Sequence, residues 1–186
     1  RIVGTIISST VFCLHFRPSV DIVQTIGRFE VKYRTERFFG AVGWHFVGRS
    51  WNGVRFSLTK GTNLDFFALT HSEYNGYIAN ATPAVYPLPE AATPAYSVYG
   101  LWESLNITDG SMLDLFGYYE LNRAKNAAGD NALSRFTLGT SYFGHYGTFY
   151  TIFEGAYQFG SMGSSDIGAY LLSLSGYFTS KTVRLG

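Results

Sequence analysis

The side chains in this chain that are best suited to chemistry are arginines and carboxylates placed at alternate positions. In residues 27–33, Arg28, Glu30 and Lys32 occupy every second position. An arginine offers forked N–H donors that match a carboxylate. Such a set can contact an anionic polymer or pair with carboxylates of the protein. The candidate binding residues are Arg28, Glu30, Lys32, Arg37, Arg49, Arg55, Arg135, Glu154 and Gln158.

Other kinds of reactive site are poorly represented in the sequence. The 4 histidines show no metal-ligand spacing, and the single cysteine, Cys13, allows neither an internal disulfide nor a cysteine metal site. No nucleophile elbow, P-loop or dinucleotide-binding fingerprint occurs. Charged residues make up 15 % of the chain and the net charge is +1, which argues against nucleic-acid binding and against disorder. We therefore expect a protein that is not an enzyme and that uses no metal or cofactor.

The elements that hold the charged residues are predicted to be β-strands, because apolar and polar residues alternate with a period of two. Val54, Phe56 and Leu58 alternate with Arg55 and Ser57, and successive side chains of a strand point to opposite faces. The apolar face either packs on the core of a soluble protein or faces lipid in a membrane barrel whose charged face lines a lumen. No run of about 20 apolar residues occurs, so no transmembrane helix is predicted.

Strands of about ten residues, separated by turn signals, are predicted over most of the chain. The connections alternate between tight turns, such as Asp109–Gly110, and longer polar loops, such as residues 75–94, 122–132 and 160–166. This alternation is typical of outer-membrane barrels. The predicted strands are residues 22–33, 38–47, 50–59, 64–74, 95–105, 112–122, 133–143, 147–159 and 167–179, followed by one that starts near Lys181.

Two blocks of the sequence carry motifs of a known family. The first comprises GRFEVKY at 27–33, ERFFG at 36–40 and GRSWNGVRF at 48–56. The second comprises TLG at 137–139, EGAYQFG at 154–160 and GYF at 176–178. Together they resemble the alginate export family of bacterial outer-membrane β-barrels. The resemblance implies a barrel in the outer membrane of a Gram-negative bacterium, surrounded by membrane lipid and lipopolysaccharide, with an anionic, alginate-like polysaccharide as its passenger.

The chain departs from the family pattern at three positions. Phe29 replaces a Gln, Arg34 replaces the Gly that follows the tyrosine, and Asn52 replaces an Asp. The last change removes a carboxylate from the expected lumen. Family barrels are also longer than this chain, so we expect a fragment, with about 9–10 strands of a larger antiparallel transmembrane β-barrel. Residues 1–21 are treated as a poorly defined N-terminal segment, either strand-like or a targeting remnant, and residues 22–186 as the barrel domain.

The expected function is a porin-like channel for passive diffusion of an anionic polysaccharide or small anionic solutes. Two alternatives remain open. The charged residues either contact the solute or pair with one another across the lumen and hold the strands in register. The whole chain is either this channel or a soluble β-sandwich or small β-barrel that binds a ligand and packs its apolar face inwards.

The membrane interpretation makes specific expectations about side-chain orientation. Phe136, Leu138, Phe149 and Phe153 are expected to face lipid, because each alternates with polar residues. Asp114 and Glu120 are expected to be solvated charges in the lumen. The tryptophans lie near predicted strand ends, where either an aromatic girdle or ordinary sheet packing accounts for them. They are Trp44, Trp51 and Trp102.

Overall fold

The structure is a computed structural model of the 186-residue chain. It describes residues 2–6, 12–19, 21–39, 50–70, 96–125, 131–179 and 184–185. Over these ranges it contains no helix of the length and apolar character needed to cross a membrane.

The described residues form one antiparallel sheet in which each strand pairs with the next along the chain. Its 11 strands follow the order β1 to β11 as a meander, and β1 and β11 are not paired with each other in the described part. The prediction of an all-β, antiparallel fold is therefore confirmed. The strands are β1 (Ile2–Ile6), β2 (Phe12–Ser19), β3 (Ile22–Phe29), β4 (Trp51–Leu58), β5 (Asn63–Thr70), β6 (Tyr96–Thr108), β7 (Ser111–Lys125), β8 (Asn131–Tyr146), β9 (Phe149–Met162), β10 (Ser165–Thr179) and β11 (Arg184–Leu185).

The N-terminal segment contributes two strands to the same sheet. β1 pairs with β2, and β2 pairs with β3. Of the two interpretations of this segment, the structure therefore agrees with the strand-like one. The predicted strand at 38–47 falls partly outside the described residues, and Phe38 and Phe39 form a bend.

Connections at one end of the sheet are all short, as expected. They include residues 59–62, 109–110 and 147–148. At the opposite end the chain makes longer connections between β3 and β4 and between β5 and β6. The predicted loop at 160–166 is wrong, because β9 runs through Met162 and only residues 163–164 form a turn, with Gly163 at φ 60°.

The predicted strand over residues 22–33 is longer than the observed one. β3 ends at Phe29, and residues 30–39 leave the sheet as a compact loop. The backbone N–H of Tyr33 donates to the carbonyl of Phe39 at 3.0 Å, and Arg34 and Glu36 adopt φ of 47° and 60°. These left-handed conformations are uncommon for residues other than glycine, so a strand cannot continue there. We call residues 30–39 the inner segment, and the sheet face on which it packs the inner face.

An aromatic cluster fills one part of the inner face, beneath the inner segment. Trp102 stacks on Tyr33 and on Phe116, each with ring centroids 4.2 Å apart and planes 4° apart. Gly139 makes room for this stack, because a Cβ there would lie 2.3 Å from the Phe116 ring. The cluster consists of Tyr33, Phe38, Phe39, Trp51, Phe67, Trp102, Phe116 and Tyr118.

The opposite, outer face carries large apolar side chains that remain exposed. Leu138 is 54 % exposed and Tyr170 is 81 % exposed, whereas the neighbouring inner residue Thr137 is fully buried. The exposed outer residues include Ile26, Phe56, Phe66, Leu101, Leu115, Phe136, Leu138, Tyr157, Phe159, Tyr170, Leu172, Leu174 and Phe178. Phe149 and Phe153 share the register positions of this face on β9, so the predicted orientation of all four residues on one face is confirmed.

Strand register divides the outer face into a polar row and an apolar row at the end that adjoins the longer connections. The polar row has one apolar member, Leu121 of β7, and consists of the successive register partners Arg28, Asn52, Thr70, Ser97, Leu121, Ser134, Ser161 and Asp166. The apolar row, two residues further along each strand, consists of Ile26, Val54, Ala68, Tyr99, Tyr119, Phe136, Phe159 and Gly168. The polarity of the outer face therefore changes between two adjacent rows on seven of the eight neighbouring strands β3 to β10, with β7 as the exception.

Candidate functional site

The inner segment reaches across much of the inner face and contacts strands that are far apart in the sheet. Phe39 packs near Trp51 of β4, whereas Arg34 contacts Asp114 of β7 and Arg37 contacts Glu154 of β9. Neighbouring strands lie about 4.8 Å apart, so β4 and β9, which are five spacings apart in the sheet, are separated by ~24 Å along it. The inner segment and the wall that it touches form the candidate functional site.

The first ion pair of the site joins Arg34 to Asp114. Arg34 Nε lies 2.9 Å from Asp114 Oδ2, and Nη2 lies 3.3 Å from Oδ1, which is a two-pronged contact. Asp114 has no exposed surface, while 29 % of the Arg34 side chain is exposed. The Arg34 guanidinium also lies 5.6 Å from the centre of the Phe143 ring. A buried carboxylate needs such a partner, because removing its charge from water is otherwise costly.

The second ion pair joins Arg37 to Glu154. Arg37 Nε lies 2.8 Å from Glu154 Oε2, and the hydroxyl of Thr35 donates to Oε1 of the same carboxylate. Glu154 is 2 % exposed and Arg37 is 45 % exposed. The carboxylate is thus covered by the inner segment, and the exposed member of the pair is a cation.

A third cluster lies on the wall itself, outside the contacts of the inner segment. Arg135 forms a bidentate contact with Glu120, in which Nε lies 2.6 Å from Oε2 and Nη2 lies 2.9 Å from Oε1. Arg135 Nη1 also approaches Gln158 Oε1 at 3.5 Å, and Tyr96 donates to Glu120. Because β6, β7, β8 and β9 are neighbours, these contacts link four adjacent strands.

Tyr33 connects the aromatic cluster to the charged part of the site. Its hydroxyl donates to Asp65 Oδ2 at 2.7 Å. Burial, and then the adjacent carboxylate of Asp65, raise the pKa of the Tyr33 hydroxyl far above its ordinary value. The hydroxyl therefore stays protonated and remains a donor. Arg55 also lies beside Tyr33 and opposes the shift, with its guanidinium 5.7 Å from the centre of the Phe29 ring.

The structure brings together only part of the predicted set of binding residues. Arg37 meets Glu154, and Arg135 meets Gln158. Arg55 lies on the inner face of β4, at the register position opposite Phe67. These contacts agree with the alternative that the charges pair with one another and tie strands together.

Three other predicted residues do not join the inner wall. Arg28 is the register partner of Asn52 and alternates with the buried Phe29, so it shares the outer face with Ile26, and its Nε donates to Ser50 Oγ at 2.6 Å. The expectation that it faces the lumen with Arg55 is corrected here, because the aromatic residues of this strand end pack inwards. Glu30 and Lys32 are exposed on the inner segment. Arg49 lies outside the described residues.

Several residues of the site were absent from the predicted set. Arg34 and Asp65 were not selected, and Asp114 and Glu120 were expected to be solvated, although both are buried and paired. A usable signal was present, since Asp114 and Glu120 lie six residues apart and so on one face of β7 with two aromatic residues between them. Charged residues on an aromatic face indicate burial with a partner rather than solvation.

The tryptophans of the described chain belong to the core. Trp51 is 6 % exposed and Trp102 is 2 % exposed, and both point into the aromatic cluster. The girdle interpretation is therefore wrong for these two residues. Trp44 lies outside the described residues.

The chemistry available to this site is binding and screening of charge. The carboxylates of the wall are each matched by an arginine or a tyrosine hydroxyl. Among the described residues no group of three or more His, Cys, Asp or Glu side chains is arranged to hold a metal ion. Comparison with protein-family models, with curated proteins and with solved structures gave no match.

Proposed function

We propose that this protein is an outer-membrane β-barrel channel that lets anionic solutes, such as an alginate-like polysaccharide, diffuse passively through a charged lumen. The single observation that carries the proposal is the distribution of side chains between the two faces. Large apolar residues are exposed on the outer face, and charged residues are buried on the inner face. A soluble sheet does not leave a face of large apolar residues open to solvent, since it packs that face on a core.

The height of the apolar band on the outer face supports the proposal that this face is surrounded by a lipid bilayer. On β9 the outer positions from Phe159 to Phe149 span ten residues, which is ~33 Å along the strand at ~3.3 Å per residue. At a tilt of ~40° this gives ~25 Å, the height of the apolar band of outer-membrane barrels. Glu103 is a charged residue on this face, the register partner of Leu64 and Leu115, and Thr62 of the 59–62 turn donates to it at 3.4 Å.

The soluble alternative fits these observations poorly. It requires the apolar outer residues to pack inwards, but Leu172 and Leu174 are 72 % and 76 % exposed. Part of the inner face is already occupied by the aromatic cluster and the inner segment. A ligand-binding sandwich would also leave an unusually large apolar surface in contact with water.

The inner segment supports a role in permeation. It lies against the wall that would enclose the lumen and therefore narrows the space inside. Arg37 is its most exposed paired cation, and an arginine fork suits carboxylates of a uronate polymer. Arg34 stands where the resembling family has Gly, and its φ of 47° is one that glycine adopts freely. The loop geometry thus agrees with the family motif even where the residue differs.

Lipid-phase labelling on one strand tests the membrane assignment. In a Cys13→Ser background, Leu172→Cys places a thiol on the outer face of β10, and Ala169→Cys places a matched thiol on its inner face. In vesicles we expect a membrane-soluble maleimide to label Leu172→Cys and a charged, water-soluble maleimide to label Ala169→Cys. Labelling of Leu172→Cys by the water-soluble reagent at the rate of Ala169→Cys would contradict the proposal.

A further inference from the structure

The outer face carries an ordered arginine that the inner wall does not use. Arg123 of β7 is exposed, and it is held in place by two hydroxyl groups of β6. Its Nη1 donates to Ser97 Oγ at 2.9 Å, and its Nη2 donates to Tyr99 Oη at 2.8 Å. The ion pairs of the described chain do not include Arg123. A cation is therefore fixed on the outer surface while part of its fork is still open to a ligand, because a guanidinium has five N–H donors.

Arg123 lies at the boundary between the polar row and the apolar row. Ser97 belongs to the polar row and Tyr99 to the apolar row, so the guanidinium spans the step between them. The next tyrosine in the apolar row behaves in the same way, since the hydroxyl of Tyr119 contacts Ser134 of the polar row at 2.8 Å. Rings that are embedded in the apolar band with hydroxyls turned to its edge are typical of the interface between hydrocarbon and headgroups.

We propose that Arg123, with Ser97 and Tyr99, forms a binding site for the phosphate of an anionic membrane lipid. This inference rests on the proposed membrane location and adds a specific partner to it. The apolar row below the arginine fits acyl chains, and the open N–H groups match phosphate oxygens in a forked contact. A cation beside an apolar band is also favoured near an anionic lipid surface. A lipid is favoured over a protein partner because the site joins a polar row to an apolar row, as a headgroup joins acyl chains.

The test compares lipid retention by the purified, folded protein in micelles that contain equal amounts of phosphatidylglycerol and phosphatidylcholine. Native mass spectrometry measures the ratio of the two lipids retained. We expect the wild-type protein to retain phosphatidylglycerol about fivefold over phosphatidylcholine and Arg123→Gln to lose this preference. Arg123→Lys should keep part of it, since charge is retained but the fork is lost. Lys60→Gln is the matched control, because Lys60 is an exposed cation at the opposite end of the sheet, and it should leave the ratio unchanged.

Three results would overturn the site. They are an equal ratio in the wild-type protein, an unchanged ratio in Arg123→Gln, and displacement of the lipid by inorganic phosphate at low millimolar concentration, which would mark a site for free phosphate. Failure of the membrane assignment is recognised separately by the labelling of Leu172→Cys. Correct lipid-phase labelling with no preference for phosphatidylglycerol would reject this site alone.

Discussion

The inner segment is fastened to the sheet by two sets of side chains that use different forces, and we call these sets its aromatic half and its charged half although they alternate along the chain. Tyr33, Phe38 and Phe39 are anchored by ring contacts in the aromatic cluster. Arg34 and Arg37 are anchored by ion pairs with Asp114 and Glu154. Ring burial is non-directional and is insensitive to salt, whereas charge-assisted hydrogen bonds depend on geometry and on the charges that surround them.

Because the forces differ, we expect the two halves to have different roles. The aromatic half fixes where the segment sits, because dispersion and burial act over many contacts. The charged half sets the electrostatic field beside the segment, since it covers two buried carboxylates and leaves Arg37 partly exposed. Substitutions in the aromatic half should therefore change stability, and substitutions in the charged half should change selectivity more than stability.

Loss of the central ring of the stack should have the largest effect. Trp102→Ala removes a buried side chain that stacks on both Tyr33 and Phe116, and we expect it to lower the free energy of unfolding by about 3–5 kcal/mol. Urea unfolding in detergent micelles, followed by circular dichroism, measures this change. Trp102→Phe is the control, since it keeps a ring in the stack and should cost less than half as much. Equal losses in the two variants would show that stacking does not anchor the segment.

The Arg34–Asp114 contact should contribute less. Asp114→Asn keeps the shape of a fully buried side chain but removes the charge that holds Arg34. We expect a loss of about 1–3 kcal/mol, discounted because Arg34 is partly exposed. A double-mutant cycle with Arg34→Gln isolates the pair. If the two single losses simply add in the double mutant, the ion pair contributes nothing to anchorage and the comparison fails.

The Arg37–Glu154 contact should act on selectivity. Under the proposed function, Arg37→Gln removes an exposed cation and should lower the anion-to-cation permeability ratio by about threefold, because an exposed charge is worth under ~1 kcal/mol. Glu154→Gln leaves Arg37 without its counter-charge and should raise the ratio. Reversal potentials in planar bilayers under a salt gradient measure both. Lys60→Gln, in a remote turn, is the control, and shifts of the same sign in the two variants would contradict the assignment.

The sequence predicts the orientation of side chains better for the outer face than for the inner face. The two-residue alternation predicted the sheet and the outer orientation of Phe136 and Leu138, because strand geometry fixes those facts locally. It did not predict that Phe29 packs inwards. Alternation gives two faces but not which face is enclosed, and a shift of one residue exchanges them.

The inner segment was harder to predict for a different reason. The alternation of Glu30, Val31 and Lys32 continues that of β3, so the sequence favours a longer strand. Glycine usually marks positions with positive φ, but Arg34 and Glu36 occupy them here. The turn is held by contacts with Asp114 and with the aromatic cluster, which lie far away in the sequence. Only the folded sheet brings those partners within reach.

The turn between Arg34 and Arg37 of the charged half supplies the smallest and sharpest test of the comparison. Glu36 adopts φ of 60° and its N–H donates to the carbonyl of Tyr33 at 2.9 Å. Glu36→Gly should remove the steric cost of this conformation, whereas Glu36→Ala removes the same side-chain atoms beyond Cβ and keeps the cost. We expect the glycine variant to be more stable than the alanine variant by about 0.5–1 kcal/mol, after the greater entropy of glycine in the unfolded chain is counted. Urea unfolding of the two variants side by side measures the difference.

Because both lose the carboxylate of Glu36, any interaction of that group cancels in the comparison. An alanine variant that is as stable as the glycine variant would show that the ring contacts and ion pairs do not hold this residue in a strained conformation, and that the turn between Arg34 and Arg37 is relaxed.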